Sequence, residues 1–146
     1  MEMTRIENSI VIKKTIDEVF NYASDYKKWS DWFESVSDFK PTTETKKGNG
    51  TRYAYKANVM GLNVKVETEI HDFVPNKGWI GKATKGLPHQ TQWIFEKINE
   101  STKFTYVLEY KLPIPILGPL FDRFIAKPQW IKIIEKSLQN LNQKLR

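Results

Sequence analysis

"LNVKVETEIHDF", Leu62–Phe73, alternates with a period of two. Leu62, Val64, Val66, Thr68 and Ile70 share one parity, and Asn63, Lys65, Glu67, Glu69 and His71 share the other. Successive side chains of a strand point to opposite faces, so this strand has one dry face and one wet face. Strands covered on both faces read instead as unbroken apolar runs, as in parallel sheets. The pattern therefore predicts an antiparallel sheet covered on one side.

The same rhythm runs outward from this segment. Before it, "TRYAYKANVM" sets Tyr53, Tyr55, Ala57 and Val59 against Arg52, Lys56 and Asn58, and Met60-Gly61 forms a tight turn between the two strands. A weaker strand, Ser35–Pro41, precedes the glycine-rich turn "KKGNG" (Lys46–Gly50). After it come the turn "PNKG" (Pro75–Gly78), a strand over Trp79–Thr84 and the break "KGLP". Strands over His89–Ile98 and Lys103–Leu112 follow, joined by "NEST" (Asn99–Thr102). Arg5–Lys13 reads as a first strand, with Ile6, Ile10 and Ile12 on one parity.

Two short helices separate that first strand from the rest. Thr15 and Glu18 have capping-box spacing, and Val19, Phe20 and Ala23 make a helical apolar stripe. Ser24-Asp25 ends this helix and caps a second, from about Tyr26 to Phe33. At the other end of the chain, Leu117, Leu120, Phe121 and Phe124 recur at steps of three and four. After Pro128 the stripe continues through Ile131, Ile134, Leu138, Leu141 and Leu145, with Lys132, Lys136, Gln139 and Gln143 opposite. This is one long amphipathic helix, restarted or kinked at Pro128. The fold class is α+β: a curved antiparallel seven-stranded sheet wrapped around a long C-terminal helix, with two short helices after strand 1. One helix cannot cover the concave face of seven strands, so a cavity is expected between sheet and helices.

Composition narrows the function classes. The 146 residues fit one domain, 1–146, and 40% are apolar. No apolar run approaches the ~20 residues of a membrane-spanning helix. The polar start, "MEMTRIENSIVIKK", does not resemble a signal peptide, so a cytoplasmic protein is expected. The absence of cysteine excludes disulfides and thiol chemistry, and two histidines, His71 and His89, do not suggest a metal site. No cofactor or metal is called for. The net charge of +6 comes from scattered lysines and arginines and reads as solubility. Aromatic side chains point inward and lysines outward, the reverse of a nucleic-acid surface. "KKGNG" lacks the lysine and the following helix of a phosphate loop.

The layout and three local segments resemble the START-like superfamily, also called SRPBCC or helix-grip, with its polyketide cyclase/dehydrase and lipid-transport group. "TIDEVFNYASDYKKWSDWF" looks like the family's opening after its first strand. "GNGTRY" falls where the family tends to carry G-x-G-x-x-Y/W, and "SLQNLNQKL" resembles its closing helix. The resemblance covers essentially the whole chain. It implies an apolar or amphipathic small molecule in the cavity, and fold alone does not choose among the family's roles.

The candidate ligand-binding residues are the inward aromatic positions with their apolar neighbours. They are Tyr53, Tyr55, Val66, Trp79, Trp93, Phe95, Tyr106, Leu108 and Tyr110 on the strands, and Leu117, Phe121 and Phe124 near the last helix. Phe104 shares their parity as core. A tyrosine hydroxyl buried without a partner costs roughly 1–3 kcal/mol. Several tyrosines on one inner face therefore favour a pocket with mixed apolar and hydroxyl lining. No catalytic set is assigned. His71 lies on the wet parity beside Glu67 and Glu69, while His89 begins a strand where it overhangs the cavity. Glu67, Glu69 and Glu109 should sit ionised and idle on the wet face. Asp72 has inward parity at a strand end, where a turn role is expected; Asp25 is a cap; Asp122 and Arg123 read as surface.

The stretch "YKLPIPILGPLFDRF" (Tyr110–Phe124) joins the last strand to the long helix. Pro113 and Pro115 stop strand pairing, Gly118 permits a turn, and Pro119 suits a first helical turn. Ile114, Ile116 and Leu117 either plug the core or form a greasy lip where an apolar ligand or, transiently, a membrane meets the pocket. The expected function is binding or transport of a lipid, polyketide or aromatic compound. An enzyme of cyclase, dehydratase or hydrolase type using the same cavity is the alternative, and a co-chaperone-like interaction module the third.

Overall fold

Seven strands form one sheet in the order β1-β7-β6-β5-β4-β3-β2, every neighbouring pair antiparallel. The computed structural model describes residues 3–59, 61–111 and 125–146. Strand β1 (Thr4–Ile12) leads into helix α1 (Ile16–Ala23), then a single 3₁₀ turn (Tyr26–Lys28) that runs into α2 (Trp29–Trp32). The meander follows: β2 (Val36–Pro41), β3 (Arg52–Val59), β4 (Leu62–Val74), β5 (Gly78–Lys85), β6 (His89–Ile98) and β7 (Ser101–Tyr110). Helix α3 (Lys127–Lys144) closes the chain. The α+β helix-grip expectation holds: a curled sheet around a C-terminal helix, with short helices after strand 1.

Local chemistry places the elements as expected at most boundaries. Thr15 accepts from the Glu18 N–H while the Glu18 carboxylate accepts from the Thr15 N–H, a complete capping box. Asp25 caps the 3₁₀ turn through the Lys27 N–H. Gly61, between β3 and β4, has φ +82°, a conformation in which a side chain is strained. Between β6 and β7 the connection is tighter than "NEST" suggests, because Ser101 and Thr102 already pair with Ile98 and Lys97.

The helices cross the concave face and are tied to it and to each other. Trp29 Nε1–H donates to the Ala23 carbonyl at 2.7 Å, folding α2 back onto α1. Ser137, buried in α3, accepts from the Glu34 N–H and donates to the Ile133 carbonyl. Asn140 donates to the Trp32 carbonyl and to Glu34. These bonds satisfy the end of α2 without water and fix where α3 lies over the sheet.

Several expectations need correction. Ile131 is 38% exposed; its place toward the core is taken by Trp130, one residue earlier, followed by the buried Ile134, Leu138 and Leu141. Of the two readings of Pro128, the restart fits: it sits in the first turn of α3, where a missing N–H has no cost. Asp72 does not point inward. It has φ +52° at a register shift between β4 and β5, and this bulge turns Phe73 toward Phe20 and Trp79 instead. A second bulge at Asp38, φ +61°, brings Phe39 onto Tyr55. Glu67 keeps its outward parity but is only 7% exposed, because Thr42 and Thr84 donate to its carboxylate. The Thr84 bond is the main reason its carboxyl is held below the ordinary range. Met60, the connector residues Ile114, Ile116 and Leu117, Asp122, Arg123 and the helical stripe before residue 125 lie outside the described residues.

Candidate functional site

The concave face is filled at one end and hollow at the other. Toward the filled end, Phe20 of α1 meets Phe95 and Trp79, and Phe95 stacks on Phe104 with ring centroids 4.7 Å apart. Toward the hollow end the inward positions carry Ala57, Val66, Thr68, Gly81 and Thr91. A partly open void lies there, walled by sheet, α2 and α3. Its volume is about 100 Å³, below the ~300 Å³ from which small-ligand sites usually run, so an occupant must be small or move the wall.

The walls are mainly apolar. Four of the five tryptophans line the void: Trp29 from α2, Trp79 and Trp93 from β5 and β6, and Trp130 from α3. Trp79 and Trp93 stack at 4.6 Å and form the boundary with the packed end. Of the sequence-derived candidates, Tyr55, Val66, Trp79, Trp93, Tyr106, Leu108 and Tyr110 stand on the wall. Tyr53 does not: it is buried behind Trp29, and its hydroxyl donates to the Lys46 carbonyl. Phe95 also stands away from the void, within the aromatic stack. Leu117, Phe121 and Phe124 lie outside the described residues. The sequence reading did not include Trp29, Phe33, Phe39, Trp130 or His89 among its ligand-binding candidates, and all five reach the wall.

His89 opens the polar part of the site. Its Nδ1 lies 2.7 Å from the Leu87 carbonyl, which can only accept, so Nδ1 carries the proton. Nε2 is then an acceptor, and the Tyr55 hydroxyl donates to it at 3.1 Å. Burial pushes the Tyr55 phenol up and the His89 imidazole down, the latter opposed by the Leu87 bond. Tyr106 faces the same space, and burial raises its phenol well above the ordinary tyrosine range, with Tyr55 adding to the effect. At neutral pH the void thus holds neutral hydrogen-bonding groups in an apolar shell. Lys111 is the one charged residue on its described wall, and it is exposed at the end of β7. The outer histidine, His71, pairs with Glu69 at 3.0 Å, away from the void. Among the described residues no three His, Cys, Asp or Glu side chains could hold a metal together. No helix among them is long and apolar enough to cross a membrane.

A family model, polyketide cyclase/dehydrase and lipid transport, matches residues 3–146. The chain belongs to that family. This polyketide cyclase/dehydrase and lipid-transport member has the START-like, helix-grip fold. It is similar to protein TTHA0849 of Thermus thermophilus, with 21% identity, TM-score 0.84 and 97% of each chain covered. A START superfamily protein of Mycobacterium smegmatis has 12% identity and TM-score 0.80, covering 97% of this chain and 99% of its own. The Zhui aromatase/cyclase of Streptomyces sp. R1128 has 12% identity and TM-score 0.78, covering 98% of this chain and 93% of its own. At these identities the likeness is one of fold. No curated protein matches the chain.

Proposed function

We propose that this family member binds an apolar or amphipathic small molecule, of lipid, polyketide or aromatic type, in the void between sheet and α3, and carries it in the cytoplasm. The observation that supports this reading best is the wall itself: four tryptophans and their apolar neighbours line a space that none of them fills. The same tryptophans supply the test. Titration with the uncharged dye N-phenyl-1-naphthylamine should change their emission saturably, and Ala57→Leu, which fills the void from β3, should abolish the change. A wild-type protein whose emission does not respond to the dye or to extracted cell lipids would overturn the reading.

A second reading, catalysis, draws on the Tyr55–His89 hydrogen bond. A neutral imidazole that accepts from a phenol can take the phenol's proton as the phenol oxygen removes one from a substrate. A cyclase or dehydratase of this kind would accelerate ring closure of a poly-β-ketone, and His89→Gln would lose turnover while retaining binding. Binding without any acceleration would leave the carrier reading alone.

A further inference from the structure

The polar groups of the void differ in how far the protein itself uses them. Leu87 takes the His89 Nδ1 proton, and Tyr55 gives its own proton to His89 Nε2. Those three groups are spoken for. Tyr106 is not: it is 5% exposed, it lines the void, and its hydroxyl has no hydrogen-bond partner among the described residues. That hydroxyl opens onto the void, so it is available to whatever enters. It can both donate and accept, so the group it suits is another hydroxyl or a carbonyl.

Charge argues in the same direction. A carboxylate placed beside Tyr106 would lose its hydration in an apolar surrounding and find no further donor in the Tyr55–His89 pair, whose protons are already given to Nε2 and to Leu87. The cation on the described wall, Lys111, is exposed at the end of β7, so a carboxylate satisfied there would leave the ligand's apolar end pointing inward. The stacked Trp79–Trp93 pair beside Tyr106 offers flat surfaces suited to a planar ring; Trp93 meets the Tyr106 ring at 5.4 Å.

We propose that Tyr106, beside the Tyr55–His89 pair, is the specificity-determining group of the site, and that it receives the uncharged hydroxyl or carbonyl end of an aromatic ligand in preference to a carboxylate. This rests on the reading that the void binds small molecules, and the test separates the two. Naphthalene, 2-naphthol and 2-naphthoate share one ring system and differ only in the polar end. Their affinities are measured at pH 7.5 by tryptophan emission and calorimetry, on the wild type and on Tyr106→Phe and Lys111→Gln. Naphthol should bind about tenfold more tightly than naphthoate. Tyr106→Phe should weaken naphthol roughly five- to tenfold and leave naphthalene unchanged. The proposal is overturned, with the binding reading intact, if naphthalene binds but naphthol gains nothing over it. It is equally overturned if naphthoate binds as tightly as naphthol and Lys111→Gln weakens it, which would mean the opposite orientation. If none of the three binds the wild type, the binding reading fails first. The comparison of naphthol with naphthalene on the wild type decides the matter even if a variant folds poorly.

Discussion

Two ends of one concave face are built from the same strands on the same parity, and they differ only in side-chain volume. On β6 and β7, Phe95 pairs with Phe104 at the filled end, while Thr91 pairs with Leu108 at the hollow end. On β5, Trp79 belongs to the boundary and Gly81, two residues on, to the hollow; Gly81 pairs with Ile70 and Thr91. A Cβ at Gly81 would lie 2.7 Å from Thr91 Oγ1, so even the smallest side chain presses into this row. Alternation decides which face a residue joins. Volume along that face decides whether it becomes core or container.

The contrast can be broken from either side. The largest effect belongs to the filled end: Phe104→Ala should cost about 3–5 kcal/mol in urea unfolding, because Phe104 is fully buried among Phe95, Trp93 and Trp32. A loss below 1 kcal/mol, roughly the scale of an ordinary surface change, would mean that this end is loosely packed as well. Leu138→Ala, on the buried face of α3, should cost about 2–5 kcal/mol. An unchanged midpoint would show that α3 does not close the sheet. At the hollow end the sign of the comparison changes. Ala57→Leu adds volume where space exists, so it should shift stability by less than about 1.5 kcal/mol while removing dye binding. If instead it destabilises by 2–3 kcal/mol, in the manner of an overpacked core, the void is not a container.

How much of this was legible follows the same division. The antiparallel meander, the capping box and the inward tyrosines could be read because period and cap chemistry are local. The bulges at Asp38 and Asp72 could not. Aspartate tolerates a left-handed conformation, but whether it adopts one there depends on pairing with the neighbouring strand. Those two slips put Phe39 on the cavity wall and turned Phe73 inward. Trp29 and Phe33 come from or just follow a four-residue helix, too short for a 3.6-residue period to declare a face. The Tyr55–His89 pair was the hardest to foresee. β3 and β6 are separated in the sheet by β4 and β5, so only the curl of the sheet brings their side chains within 3.1 Å. Curl follows from twist and packing summed over many residues, and no short motif encodes it. The outward side of β4 was read correctly in direction but not in exposure, since Thr42 and Thr84, which cover Glu67, come from beyond β2 and from β5.

The smallest expected effect tests that pair directly, through pH. His89 is half-buried, and burial holds its folded-state pKa below the ordinary value of 6.5. Between those two values the unfolded chain binds more protons than the folded one, so stability rises with pH in that window. The contribution is fully present above about 6.5 and is lost as pH falls through the folded value. Protonation would also convert Nε2 from acceptor to donor and end its bond from Tyr55, so dye binding should weaken over the same range. His89→Gln should flatten this part of the profile for stability and for binding. The carboxyls of Glu67 and Glu69, held low by Thr84 and by Arg52 respectively, lose their contributions only at lower pH, below their ordinary value of 4.5. A wild-type urea midpoint that stays constant from pH 7.5 to 5 would mean that His89 titrates alike in both states. Tyr55→Phe then separates geometry from charge: it leaves Nε2 without a donor, so it should weaken dye binding at pH 7.5 and remove most of the pH dependence of binding, while the stability slope assigned to burial remains.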